Sequence, residues 1–262
     1  MQKKVANEDL LVEKFLSNIS VDIVIFGFHN RQLKILLLRF KNTSLYALPG
    51  GFINEKEEDI EEAVERVLTE RTGLKDIYLE QFGVFGSKKR AFGETHRHIH
   101  ESAGKTTELN QWITQRFVTV GYYALVNLKD TIPNPDDISD FCGWIDINEI
   151  PTLAFDHKNI IEKALESLRL MLDLKLAVFN LMPESFTMND LQCLYETILG
   201  KKLQRTNFQR KMLSLGILER LDKHWTGGAH KAAYLYRFDK NKYNEMQKEE
   251  INVKLSQGKD AN

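Results

Sequence analysis

Cysteine is scarce: only Cys142 and Cys193 occur in 262 residues. Two thiols cannot build a disulfide framework or a four-cysteine zinc site, and their rarity fits a reducing, cytoplasmic compartment. No apolar run approaches the ~18 residues that a membrane helix needs. The opening MQKKVANEDLLVEKF is charged but has neither an apolar core segment nor a small-residue cleavage site, so no secretory leader is expected. No internal repeat or low-complexity segment is visible. What is present is a globular composition, 42% apolar and 28% charged, long enough for one large domain or two small ones.

Net charge is −1, but its distribution is uneven. Between Leu199 and Lys242 there are eleven Lys or Arg against three acids, so these 44 residues carry +8 and the rest of the chain −9. A basic module joined to an acidic one points to nucleic acid, with a lysine-rich solvated face as the plain alternative.

The apolar pattern divides the chain in the same way. Residues 1–18 read as a short helix. Ser20–His29 and Lys34–Arg39 read as the strands of a hairpin around the His29-Asn30-Arg31 turn. Leu48-Pro49-Gly50-Gly51 reads as the start of a loop. Asp59–Thr72 places Ile60, Ala63, Val64, Val67 and Leu68 on one helical face, and Gly73 sits where a C-cap glycine belongs. Strands follow at 77–85, 116–128 and 141–147, then a helix from Asn159 to Leu174. This alternation predicts an α/β (α+β) domain.

The second half reads helix, helix, helix, hairpin. Leu174–Met182 is stopped by Pro183. Thr187 caps Met188–Leu199 before Gly200, and Thr206 caps Asn207–Leu215 before Gly216. The strands Ile217–Lys223 and Ala232–Phe238 flank HWTGGAHK, whose tip is Gly227-Gly228. That order is a winged helix-turn-helix. The predicted boundaries are 1–158 for the first domain, 159–175 for a linker helix, 176–243 for the basic module and 244–262 for a polar tail.

Gly50–Leu74, GGFINEKEEDIEEAVERVLTERTGL, resembles the Nudix box, G-x5-E-x7-R-E-U-x-E-E-x-G-U with U a bulky apolar residue. The resemblance implies a Nudix-like sandwich, in which glutamates at helical spacing hold divalent cations on a nucleoside diphosphate. This copy departs where that chemistry sits. Arg66 keeps the arginine position, but Val67 replaces the glutamate after it and Arg71 replaces the second of the later pair, leaving Glu70. One extra residue follows Gly51, with Glu58 matching the first glutamate. Too few carboxylates remain for a metal cage, so no catalytic residue, metal or cofactor is expected. The i,i+4 pairs Glu62–Arg66 and Arg66–Glu70 are expected to hold the helix by charge instead.

The whole chain, over roughly residues 18–240, resembles the Nudix-related transcriptional regulators. The carrying segments are Arg116-Phe117-Val118-Thr119-Val120-Gly121-Tyr122-Tyr123-Ala124-Leu125, Leu153-Ala154-Phe155-Asp156-His157 and Leu181-Met182-Pro183-Glu184-Ser185-Phe186-Thr187. With them go Leu191-Gln192, Leu194-Tyr195-Glu196, Asn207-Phe208 and Arg210-Lys211. Members with an intact box sense ADP-ribose and repress NAD-synthesis genes. The degraded R-V-L-x-E box is similar to the sugar-responsive branch, typified by the arabinose regulators of Bacteroidetes. The resemblance therefore implies a homodimer on near-palindromic double-stranded DNA, released by a small sugar or sugar phosphate, with a role in carbohydrate metabolism. The alternatives are a Nudix hydrolase of ADP-ribose or another nucleoside diphosphate derivative, and a protein–protein adaptor.

Arg39, Gly51, Phe85, Arg116 and Tyr122 are the candidate effector-binding residues. The two guanidinium forks suit a phosphorylated or polyhydroxyl ligand. The long stretch 87–115 holds His96, His98 and His100, which would share one side of a strand; a metal is conceivable there, but no cysteine or acid cluster completes a set. The resemblance places the loop before the Arg116 strand at the border of the effector pocket, which implies that this stretch acts as a lid. In the basic module the helix opened by Thr206 is the recognition helix. Arg205, Gln209, Arg210 and Lys211 are expected at base edges, and Lys201, Lys202, Lys223, His224, His230 and Lys231 at phosphates. Phe208, Met212, Leu213 and Leu215 are expected in the core.

Overall fold

The computed structural model describes residues 14–54, 56–104, 110–172, 177–224 and 233–243. It forms two compact units that divide between Leu181 and Met182. Residues 225–232, including the predicted contacts His230 and Lys231, the tail beyond 243, and most of the expected N-terminal helix lie outside the described residues.

The first unit is built on strands β1 (Phe15–His29), β2 (Gln32–Phe40), β3 (Tyr46–Ala47) and β4 (Gly50–Asn54), followed by helix α1 (Ile60–Thr72) and β5 (Tyr78–Phe85). Helices α2 (Gly93–Ser102) and α3 (Asn110–Ile113) come next, then β6 (Val118–Val126), β7 (Ser139–Asp146) and helix α4 (His157–Met171). The sheet order is β3-β2-β1-β6-β5, with β4 also paired to β1 and β7 to β2. β1 and β6 run parallel, while β1–β2, β1–β4, β2–β7 and β5–β6 are antiparallel. Phe15 and Leu16 belong to β1, which corrects the expected helix there: a β ladder to Asn54 claims Phe15.

The period-2 alternation of β1 assigns its two faces. Val21, Ile23 and Ile25 meet Ala63, Val64, Val67 and Leu68 of α1, together with Val120, Tyr122 and Ala124 of β6. Burying each of those Val and Leu side chains contributes ~1.5–3 kcal/mol. The intervening residues face the other way, where Phe26 meets Tyr123 edge-on and Asp22 opens onto a cleft. α4 presents Ile160, Ile161, Ala164 and Leu168 inward and contacts β1, β5 and β6. Leu174 lies outside the described residues, and Ala177–Leu181, expected to be α-helical, is a 3-10 turn that belongs to the first unit.

At the hairpin, Asn30 and Arg31 both have positive φ, 49° and 62°, as a two-residue type I′ turn requires. α1 begins at Asp59, whose N–H donates to Glu62 Oε2 at 2.7 Å, and ends on Gly73 at φ 73°. Gly50 and Gly51 open β4 instead of a loop, because β1 pairs with them at Asp22 and Val21.

The second unit comprises β8 (Phe186–Thr187), α5 (Met188–Leu199), α6 (Arg205–Ser214), β9 (Leu218–His224) and β10 (Ala233–Phe238), with sheet order β8-β10-β9. This is the expected winged helix. Thr187 caps α5 reciprocally: its hydroxyl accepts from Asp190 N–H at 3.1 Å, and its own N–H donates to Asp190 Oδ2 at 3.0 Å. α6 starts one residue before the expected cap. Gln204 supplies it, its Oε1 accepting from Asn207 N–H at 2.7 Å, so Thr206 is inside the helix. Phe208 and Met212 are buried, whereas Leu213 is 44% exposed and Leu215 half-buried, so only two of the four expected core residues are in the core.

Candidate functional site

The retained half of the Nudix box fixes a loop to a helix. Arg66 donates to Glu58 through Nε at 2.9 Å and Nη2 at 2.8 Å, and to the Phe52 carbonyl at 2.9 Å. Glu58 also accepts from Asn54 N–H at 2.8 Å. The guanidinium holds the Glu58 carboxyl below its ordinary range. Glu70 reaches Arg66 only at 3.5 Å, and Glu62 is spent on capping Asp59, so the expected Glu62–Arg66 pair gives way to Glu58–Arg66.

The altered half has a different environment. Val67 is buried in the core, and its Cγ2 lies 2.9 Å from where a Cβ on Gly51 would stand. Arg71 is 11% exposed, with Nη2 at 3.5 Å from Glu70 and 4.0 Å from Asp136. A guanidinium and a packed isopropyl group at ligand positions do not fit a divalent cation. Among the described residues no three His, Cys, Asp or Glu side chains form a metal set.

Beside the box lies a cleft of about 180 Å³. Asp22 of β1, Gly51 and Phe52 of β4, and Gln115 and Phe117 before β6 contribute to it. α2 contributes His96, Ile99 and His100. The region expected as a loop with histidines along a strand is therefore a helix. His96 and His100, four residues apart, face the cleft, and His98 is exposed. Phe155, at φ 56°, and His157, the first residue of α4, complete the wall.

Arg90 ties these parts together. It is 6% exposed, 2.5 Å from Asp156 Oδ1 and 3.8 Å from Asp22 Oδ2, and its Nε donates to the Phe117 carbonyl at 3.2 Å. His157 Nδ1 accepts from Leu48 N–H at 2.9 Å, which puts the imidazole proton on Nε2, 3.5 Å from Asp22 Oδ1. Burial pushes the His157 pKa down against the pull of Asp22. Burial, with His100 next in weight, pushes His96 down to about 4. Both rings are neutral at pH 7. The His96 ring lies 4.5 Å from the Phe155 ring, and Phe92 lies 5.4 Å from Phe155, so an aromatic wall accompanies the buried arginine.

Of the expected effector-binding residues, Gly51 lines the cleft and the other four do not. Leu38 and Phe40 line it, so alternation along β2 turns Arg39 away to pair with Asp140 at 2.9 Å. Tyr122 faces α1, with its hydroxyl 3.3 Å from Glu61. Phe85 packs on Phe82, and Arg116 is exposed between the cleft residues Gln115 and Phe117. Sequence reasoning missed Asp22, Arg90 and His157. Asp22, a lone acid within an apolar strand, was the available signal.

In the second unit Lys201, Lys202, Arg205, Arg210, Lys211 and Lys223 are exposed and Gln209 is half-buried; the His224 side chain lies outside the described residues. Glu196 at the end of α5 sets the turn into α6. It accepts from Leu203 N–H at 2.9 Å, Gln192 Nε2 at 3.0 Å and Lys202 Nζ at 2.9 Å. Arg210 donates to Asn207 Oδ1 at 3.0 Å. On the wing strands the Arg220 guanidinium lies 4.5 Å and the Lys223 ammonium 5.0 Å from the Tyr234 ring centre. Tyr234 and Arg220 were absent from the expected set.

Residues 16–165 match the NUDIX domain model, and residues 178–238 match the NrtR DNA-binding winged helix domain. The chain belongs to the Nudix-related transcriptional regulators. It is 32% identical over 225 residues to the ADPR responsive transcriptional repressor NtrR of Acinetobacter baylyi, covering 84% of this chain and 81% of that one. It is 30% identical over 147 residues to the ADP-ribose pyrophosphatase of Methanocaldococcus jannaschii, covering 53% and 70%. The crystal structure of Shewanella oneidensis NrtR complexed with a 27mer DNA matches at a TM-score of 0.68 and 30% identity, over 87% of this chain and 96% of that one. This Nudix-related regulator thus carries a DNA-binding module beside a ligand domain. The expected sugar effector and carbohydrate role find no support in these relatives: the Acinetobacter repressor is named for its response to ADP-ribose.

Proposed function

We propose that this regulator is a repressor that binds near-palindromic DNA as a homodimer and releases it when ADP-ribose fills the cleft beside the Nudix box. The observation that carries this reading is the cleft wall. Phe155 and His157 line the cleft, Asp156 clasps Arg90, and Asp156 and His157 are the N-cap and first residue of α4. A ligand that changes this wall acts on the helix that precedes the DNA-binding module in the chain. The aromatic group Phe92, Phe155 and His96 offers stacking faces for a base. The 32%-identical Acinetobacter repressor supports the effector class. Val67 and Arg71 support binding without cleavage, so metal-dependent turnover of ADP-ribose is expected to stay below about 1 s⁻¹, the low end of ordinary enzymes. A phosphate-release assay in Mg²⁺ checks this; faster turnover would assign the chain to the hydrolases.

The DNA-binding residues are proposed to be Arg205, Gln209, Arg210 and Lys211 of α6 at base edges, with Lys201, Lys202, Arg220 and Lys223 at phosphates. The Arg210→Ala, Lys211→Ala double variant is expected to weaken binding to the chain's own upstream DNA by ~1–3 kcal/mol for each base edge that is no longer read. Fluorescence anisotropy measures it. Unchanged affinity would remove α6 from the interface.

A further inference from the structure

The wing strands hold two cations against one aromatic ring. Tyr236 of β10 is 5% exposed, and β10 packs on α5. By alternation Tyr234 lies on the same face, but near the start of the strand, where the core has ended, and it is 40% exposed. In a regular strand Arg220 and Lys223, three residues apart, would point to opposite faces. The ladder prevents this. Arg220 pairs with Tyr236 and Lys223 with Tyr234, so three steps along β9 run against two along β10. The extra residue of β9 is a bulge, and it turns both cations to the face of Tyr234. The Arg220 guanidinium then lies 4.5 Å and the Lys223 ammonium 5.0 Å from the ring centre.

The choice of an aromatic partner matters. On the neighbouring pair of the ladder, Arg237 is closed on Glu219 at 2.8 Å, whereas among the described residues Arg220 and Lys223 have no carboxylate partner. A carboxylate would restrain a cation but cancel its charge. A ring quadrupole restrains it and leaves the charge in place. Both side chains are long, so holding them beforehand reduces the freedom that is lost when they meet a ligand. Both heads only donate hydrogen bonds, and a phosphate only accepts. We propose that Tyr234 is a positioning residue for DNA: its ring holds Arg220 and Lys223 together for the phosphate backbone, and the β9 bulge brings both to it. This rests on the DNA-binding reading above and adds to it a side chain that acts through its neighbours.

Anisotropy titrations of the full chain, on its own upstream duplex and on a random-sequence duplex at low salt, test this. Tyr234→Leu is expected to weaken binding to both about fivefold, because phosphates carry no sequence. Tyr234→Phe keeps the ring and is expected to stay within about twofold. The Arg220→Ala, Lys223→Ala double variant is expected to lower the slope of affinity against salt by about two, and Tyr234→Leu added to it should cost nothing further. A further loss in that background would make Tyr234 a residue of the fold alone. A loss in Tyr234→Phe equal to that in Tyr234→Leu would make the hydroxyl the contact, and a loss confined to the upstream duplex would make Tyr234 a reader of bases. Each of these overturns the proposal, as does an unchanged salt slope in the double variant or an unchanged affinity in Tyr234→Leu, while the DNA-binding reading stands. If the unaltered chain binds neither duplex, that reading fails and the role of Tyr234 fails with it.

Discussion

His96 and His157 show what single residues do in this cleft. Both are held neutral, His96 down to about 4 against an ordinary 6.5, with burial as the leading cause. A histidine with a lowered folded pKa binds fewer protons folded than unfolded. Stability is therefore full above the unfolded pKa and declines as pH falls from 6.5 towards 4. His96→Phe keeps the packing on Phe155 and removes the titration. Urea unfolding of this variant between pH 7 and 4 is expected to show a shallower loss of stability than the unaltered chain; an identical slope would mean that His96 is solvated. At this scale the sequence was only partly legible. Val67 and Arg71 were readable because a motif gives each position a role. Asp22, Arg90 and His157 were not, since 66 residues separate Arg90 from Asp156, and only the folded sheet brings them together. Arg39 and Tyr122 were misplaced for a related reason: alternation shows that neighbours face opposite ways, but not which face borders the cleft.

At the scale of elements, periodicity and capping located α1, α4, α5 and the wing strands to within a few residues. They failed where polar side chains dominate. α2, with GETHRHIHES, lacks a clear apolar stripe, yet it forms a helix whose Ile99 and His100 are buried. α6 was displaced because Gln204, a less common cap than Thr206, makes the bond. Glu196 has the converse role, one carboxylate fixing a turn between two helices. Its partners, Lys202 foremost, hold its pKa at about 2, below the ordinary 4.5. The stabilisation is present above the ordinary value and is lost as pH falls through the folded one. Glu196→Ala is expected to weaken DNA affinity about tenfold at neutral pH, because α6 loses its anchor at Leu203, without changing the slope of affinity against salt, since no cation that meets phosphate is removed. Anisotropy titrations at several salt concentrations measure both. A changed slope with unchanged low-salt affinity would show that Glu196 acts only by neutralising Lys202.

For the whole molecule, the division into an acidic ligand domain and a basic DNA-binding module was visible in the charge distribution, +8 over 44 residues against −9 elsewhere. The effector was not, because a degraded box reports which cations are lost and not which ligand replaces them. Coupling between the modules requires only that the effector prefer one arrangement over another, and a tenfold preference is ~1.4 kcal/mol. The most direct measurement is DNA affinity with and without ADP-ribose in excess EDTA, using the full chain and its own upstream duplex. ADP-ribose is expected to weaken DNA binding at least about tenfold with no divalent cation present, because Arg71 and Val67 stand where metal ligands would. Unchanged affinity at saturating ADP-ribose, or an effect that appears only when Mg²⁺ is restored, would contradict a metal-independent, effector-released repressor.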